Sequence, residues 1–192
     1  FSNADGYLEI MDLNPADQIS FNASKDKFLT KRSEFLMDGR EIPKQLLKKE
    51  LTDTTFDHKI TLSQAEVGDE IGALFEVNPI YYDLDKSNIR PDAAAELDKI
   101  VQVLKDNPNI SIELGSHTDA RASASYNLKL SQRRAESAVR YIIEHGIEAA
   151  RIKAKGYGET QLINGCSDGV DCSEEAHQEN RRTEFKITDL ND

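Results

Sequence analysis

The chain has 192 residues, 38% of them hydrophobic and 31% charged, with a formal net charge of −11. This is a globular composition rather than a disordered or collagen-like one, long enough for one domain with an extension or for two small domains. The acidity argues against non-specific binding to nucleic acid or to anionic membrane surfaces, and no run of about 18 apolar residues is present to span a bilayer. With no initiator Met, basic n-region or signal h-region at Phe1, the sequence reads as a processed or excised piece of a longer chain.

Residues 1–70 lean to strand. The stretches GYLEIMDL (6–13), DQISFNAS (17–24) and DHKITLSQ (57–64) alternate partly with period two and are separated by turn signals. They predict a small antiparallel sandwich, interrupted by a helical patch PKQLLKKEL at 43–51. The character changes near Val67–Glu76, so residues 71–192 are expected to form a second domain. NPIYYDL (78–84) has the look of a buried strand. RPDAAAELDKIVQVLKDNP predicts a helix with Pro91 near its start and Asn107-Pro108 at its end; Leu97, Ile100, Val101 and Leu104 fall on one face. NISIELGS (109–116) is a half-buried strand, YNLKLSQRRAESAVRYIIEHG a second helix closed by His145-Gly146, and RIKAKGYG and RTEFKIT two further strands. Strands alternating with helices of this length predict an α/β (α+β) fold: βαβαβ, a mixed sheet with helices packed on it.

The span from Gly115 to Arg140 inverts the overall charge, with Arg121, Lys129, Arg133, Arg134 and Arg140 against Asp119 and Glu136. On a helical wheel the second helix shows two stripes. Leu128, Ala135, Val139 and Ile142 are expected in the core; Asn127, Leu130 and Arg134 lie about a third of a turn away, where they can line a cleft. The loop 116–122 leaves the C-terminal end of the preceding strand, where ligand crevices form in α/β sheets, so Asp119 can face the Arg134 stripe. Three readings of Asp119 remain open on pattern alone: an ion pair with Arg134, a turn or cap residue, and one half of a ligand site.

Cys166 and Cys172 bracket a polar loop. A disulfide in an oxidising compartment is the first reading; a metal site with His177 lacks a second ligand pair, Asp168, Asp171 and Glu174 lack calcium-loop spacing, and two free thiols are the remaining option. His117 beside Asp119 reads as a turn or supporting residue rather than a base.

YYDLDKSNIRPDA, SIELGSHTDA, YNLKLSQRRAESAVRYI, GIEAARIKAKGYGE and NRRTEFKI occur in the order and spacing of the OmpA-like C-terminal domain, a periplasmic module that anchors outer-membrane proteins to peptidoglycan; the resemblance covers about residues 76–190. It implies non-covalent binding of the stem peptide at its diaminopimelate residue. Asp119 would take the ligand ammonium and Arg134 its carboxylate. Thr118, Arg121, Asn127 and Leu130 belong to the same motifs, and Asp83 would contribute mainly backbone. No cofactor or metal is implied. The chemistry is consistent: a zwitterion needs one anion and one guanidinium, and the Arg fork binds a carboxylate bidentately. Removing one member of such a desolvated pair costs roughly 2–5 kcal/mol. Two positions depart from the pattern, Ala122 near where Gly is usual and Tyr81-Tyr82 where Phe is commoner.

The Cys166–Cys172 insertion resembles the variant found in Bacteroidetes. Residues 1–70 resemble part of a carboxypeptidase-regulatory-like sandwich, which ahead of this domain is similar to PorE-type subunits of the type IX secretion machinery. The expected function is therefore a non-catalytic cell-wall anchor in the periplasm, associated with the outer membrane. The alternatives are an envelope or secretion-complex scaffold binding other proteins and, less in keeping with the missing catalytic motifs, an enzyme acting on peptidoglycan.

Overall fold

A computed structural model describes residues 2–11, 13, 17–25, 28–36 and 56–190. The chain divides into two compact units, Phe1–Asp26 with Thr30–Leu62, and Lys27–Leu29 with Ser63–Asp192.

In the first unit β1 (Gln18–Ala23) pairs antiparallel with β2 (Lys31–Leu36), Ile19 opposite Phe35 and Phe21 opposite Ser33. The Phe35 ring meets Phe56 and His58, and Phe21 stacks on His58 at 5.3 Å. The stretch 17–24 is a strand as its alternation predicts. The described residues of 6–13 and 57–64 are not strands; the backbone bonds they make are isolated, such as Asn3 N–H to the Tyr7 carbonyl and Leu29 N–H to the Ser63 carbonyl. The helical expectation at 43–51 lies outside the described residues.

The second unit is a four-stranded mixed sheet in the order β3-β6-β4-β5 with helices packed on it, the fold class the alternating pattern predicts. After a short α1 (Ile71–Phe75) and β3 (Ile80–Tyr81) come α2 (Pro91–Asp106), β4 (Ile110–His117), α3 (Ala124–Glu144), β5 (Ile152–Gly158), α4 (Glu174–Asn180) and β6 (Arg182–Leu190). β4 runs parallel to β5 and antiparallel to β6, which pairs antiparallel with β3. Pro91 opens α2, where its missing N–H is no loss. Ser123 caps α3 by accepting from the Tyr126 N–H. The expected α2 face is buried in full, and Ile110, Ile112 and Leu114 of β4 with Phe185 and Ile187 of β6 complete an apolar core. Among the described residues no helix is long and apolar enough to cross a membrane.

One close approach fixes α3 over the sheet. A Cβ at Gly156 on β5 would lie 2.3 Å from the Gln132 backbone nitrogen, so only glycine lets the strand and helix touch there. Its own N–H donates to the Gln132 side chain at 2.8 Å, and the Gly158 N–H donates to Ser131 Oγ at 2.8 Å. These bonds set the height and rotation of the helix that carries Asn127, Leu130 and Arg134.

Candidate functional site

The wheel of α3 needs a correction. Leu128, expected in the core, is 52% exposed, while Asn127, Leu130, Ser131, Arg134, Ala135, Ala138 and Ile142 are all buried. The two stripes are parts of one buried face, polar toward the helix start and apolar toward its end. Residues spaced i, i+3, i+4, i+7 share one face of a helix; here packing buries that face although its members include Asn, Ser and Arg.

Arg134 is the largest fully buried side chain among the described residues. Its Nε donates to the Lys86 carbonyl at 2.9 Å, Nη1 to the His117 carbonyl at 3.2 Å and Nη2 to the Asp83 carbonyl at 3.1 Å. The guanidinium lies 5.0 Å from the centroid of the Tyr82 ring. Tyr82 is itself buried, with its hydroxyl shared between the Arg134 carbonyl and Thr183 Oγ1. Burial pulls Arg134 down to about 10, still charged at neutral pH, and pushes Tyr82 up to about 12. Among the described residues no carboxylate stands within ion-pair distance of Arg134. Three neutral carbonyls solvate its charge, and two of its five N–H groups are left over.

Asp119 leaves the end of β4 beside that charge without pairing to it. Its Oδ2 accepts from Arg121 Nη2 at 2.7 Å, Arg121 Nε at 3.2 Å and Arg181 Nη1 at 2.8 Å. Its Oδ1 accepts only a long 3.4 Å bond from the Arg121 backbone. Burial alone would raise this carboxyl, but the hydrogen bonds from Arg121 and Arg181 outweigh it and hold it below the usual range. The Asp119–Arg134 ion pair considered from sequence is therefore not formed; the loop is tied by Arg121 and Arg181 instead.

Both groups line a cleft of about 380 Å³ together with Thr118, Arg121, Ala122, Asn127, Leu130 and Arg181, and with Leu84, Asp85 and Tyr126 at its side. Asn127 Nδ2 donates to the Asp119 carbonyl at 3.1 Å, to the Ala122 carbonyl at 3.2 Å and to Glu159, so its amide clamps the loop. Leu130 supplies an apolar wall. Thr118 is buried and its Oγ1 has no hydrogen-bond partner among the described residues. The Asp83 carboxylate points to Lys86 and Arg90, and its carbonyl accepts from Arg134. Ala122 does not strain the loop: among the described residues the non-glycine positions with positive φ are Glu76 and Asp85.

Four further residues shape this site and escape the sequence reading. Arg181, 3% exposed, grips Asp119 from the single residue between α4 and β6, and Glu174 on α4 accepts from both Arg121 and Arg181. Asp85 accepts from the Tyr126 hydroxyl beside the cleft. The middle residue of Asn180-Arg181-Arg182 was the available signal for Arg181; α4 gave none, being seven mostly polar residues. The two cysteines form a disulfide with Cα atoms 5.9 Å apart. Among the described residues no group of three or more His, Cys, Asp or Glu could hold a metal ion. His117 is buried, stacked on Tyr157 at 5.2 Å, with Nε2 3.5 Å from Glu184. That contact, with Arg182, pulls the Glu184 carboxyl down to about 2.

The second unit is thus a mixed sheet presenting a charged cleft at the C-terminal end of its central strand β4. The OmpA family model matches residues 81–176. The chain belongs to the OmpA family. The peptidoglycan-associated lipoprotein of Rhizobium meliloti is 36% identical over 89 residues, covering 46% of this chain and 51% of that one. A 110-residue stretch, 56% of this chain, is 39% identical to 12% of a Gloeobacter violaceus protein named Photosystem I P700 chlorophyll a apoprotein A2. This chain therefore spans about half or less of the length of these two relatives. The crystal structure of the peptidoglycan-associated lipoprotein from Burkholderia pseudomallei superposes with a TM-score of 0.52 at 27% identity, covering 57% of this chain and 89% of that one.

Proposed function

We propose that the cleft binds peptidoglycan non-covalently through the zwitterionic end of a diaminopimelate side chain, and so anchors the protein, or a complex containing it, to the cell wall in the periplasm. The observation that carries this reading is the buried Arg134 guanidinium, charged and without a carboxylate partner among the described residues, in the same cleft as an Asp119 whose Oδ1 is nearly unengaged. A buried charge held only by carbonyls is costly, and an incoming carboxylate would complete its fork. Oδ1 would accept from the ligand ammonium while Arg121 and Arg181 stay on Oδ2. Thr118 Oγ1 and the Leu130 wall would meet the polar and methylene parts of the same side chain. The names of the Rhizobium and Burkholderia relatives support the cell wall as the target.

The reading assigns no catalytic step; release of muropeptides from purified sacculi would overturn that. Its direct test is co-sedimentation of the protein with sacculi. Asp119→Asn and Arg134→Lys keep size, and the lysine also keeps charge, yet each is expected to reduce the pelleted fraction at least tenfold. Equal pelleting of both variants and the wild type would show that the cleft is not the site. The finer assignment, to a type IX secretion subunit, is supported by the resemblance of residues 1–70 and of the disulfide-closed loop; cross-linking of the full chain in cells tests it.

A further inference from the structure

Glu174 is a carboxylate just behind the cleft wall, holding two of its lining residues, Arg121 and Arg181, and none of the matched motifs assigns it. It is the first residue of α4, preceded by the capping Ser173 and the disulfide-bonded Cys172. Its Oε2 accepts from Arg121 Nη1 at 2.8 Å and its Oε1 from Arg181 Nη2 at 2.6 Å. Asp119 Oδ2 holds the same two guanidiniums through their other nitrogens, at 2.7 and 2.8 Å. Asp119, Arg121, Glu174 and Arg181 thus close a ring of two anions and two cations with no net charge.

The ring matters for what Asp119 can attract. Two guanidiniums against a single carboxylate would leave a net positive charge where a ligand ammonium must sit, and like charges brought together in a partly desolvated site repel. Glu174 cancels that excess from the far side of both arginines without occupying Asp119 Oδ1. We propose that Glu174 is a positioning residue that sets ligand specificity. It neutralises Arg121 and Arg181 so that Asp119 selects ligands bearing an ammonium group. This rests on the reading that the cleft takes a diaminopimelate head group. The disulfide gives the device its rigidity, because it closes the loop immediately ahead of the cap of α4.

The test compares two stem tripeptides by calorimetry on the full chain. One ends in diaminopimelate and the other in aminopimelate, which lacks the second amine. Wild type is expected to prefer the first. Glu174→Gln should weaken the diaminopimelate peptide about tenfold and the aminopimelate peptide less than twofold, collapsing the preference, and Glu174→Asp should restore most of it. Thermal unfolding of each variant checks that the fold is kept, as expected for a side chain 56% exposed. An unchanged preference in Glu174→Gln overturns the inference alone. Equal weakening of both peptides also overturns it, since that is what a merely structural role would give. A wild type that binds neither peptide, or both alike, overturns the diaminopimelate reading itself and the inference with it.

Discussion

Ala138 and Ile142 of α3 belong to the apolar core with no exposed surface, and one to three turns earlier on the same face Arg134, Ser131 and Asn127 are buried to nearly the same degree. The apolar half is held by excluded water and close packing, which need no particular partner. The polar half is held by specific hydrogen bonds: Ser131 to Leu128 and Gly158, Asn127 to the loop, Arg134 to three carbonyls. Buried polar groups are tolerated only when matched, so what stays unmatched is informative. Thr118 Oγ1, the spare N–H groups of Arg134 and the weakly held Oδ1 of Asp119 belong to residues that line one cleft, whereas the unmatched Nδ1 atoms of His117 and His177 do not. Equal burial, then, marks core in one half and a candidate site in the other.

The comparison breaks most sharply at Arg134. Arg134→Met keeps bulk but strands the carbonyls of Asp83, Lys86 and His117, and should cost about 3–5 kcal/mol in urea unfolding; a loss under about 1 kcal/mol would mean that the arginine does not hold the polar half together. In the apolar half, Leu114→Ala should cost about 3 kcal/mol, with the folded fraction still pelleting with sacculi as wild type does. Replacing both cysteines by serine should lower stability by about 2 kcal/mol, the chain-entropy value for so short a loop, read as a Tm shift that reductant reproduces in the wild type.

Acid sharpens the contrast next. Asp119, Glu174 and Glu184 titrate below their ordinary values in the fold, so the unfolded chain takes up protons first as the pH falls. Their stabilisation is complete above the usual carboxylate range of about 4 and is lost as the pH drops through the folded values, about 2 for Glu184. Unfolding midpoints measured from neutral pH down to acid should decline through that window, and less steeply for Glu184→Gln. The smallest effect is expected at Ala122→Gly, which should change tripeptide affinity less than twofold, because the loop already takes its shape without a left-handed residue there.

Much of the second unit is legible from periodicity because its elements are long and one-sided. The α2 face and the alternation of β4 and β6 are each dictated by apolar residues alone. Most of the residues that line the cleft are legible in the sequence, their pairing is not. Asp119 and Arg134 stand out by motif, whereas Arg181 reaches Asp119 across 62 positions of sequence, a contact only the closed sheet creates. Glu174 sits on a helix too short and too polar for any periodic signal. Leu128 is exposed although hydrophobic, because the buried face of α3 is phased by its polar neighbours Asn127, Ser131 and Arg134.

Gly156 carries a consequence for genetics. It lies on β5 and is not among the residues lining the cleft, yet any side chain there must push the backbone of α3 away from the sheet. The same helix delivers Asn127, Leu130 and Arg134. A screen for variants that lose hold of the cell wall should therefore recover substitutions at Gly156 alongside those at the charged residues, and a map of ligand contacts drawn from that screen alone would place one point on the wrong side of the helix.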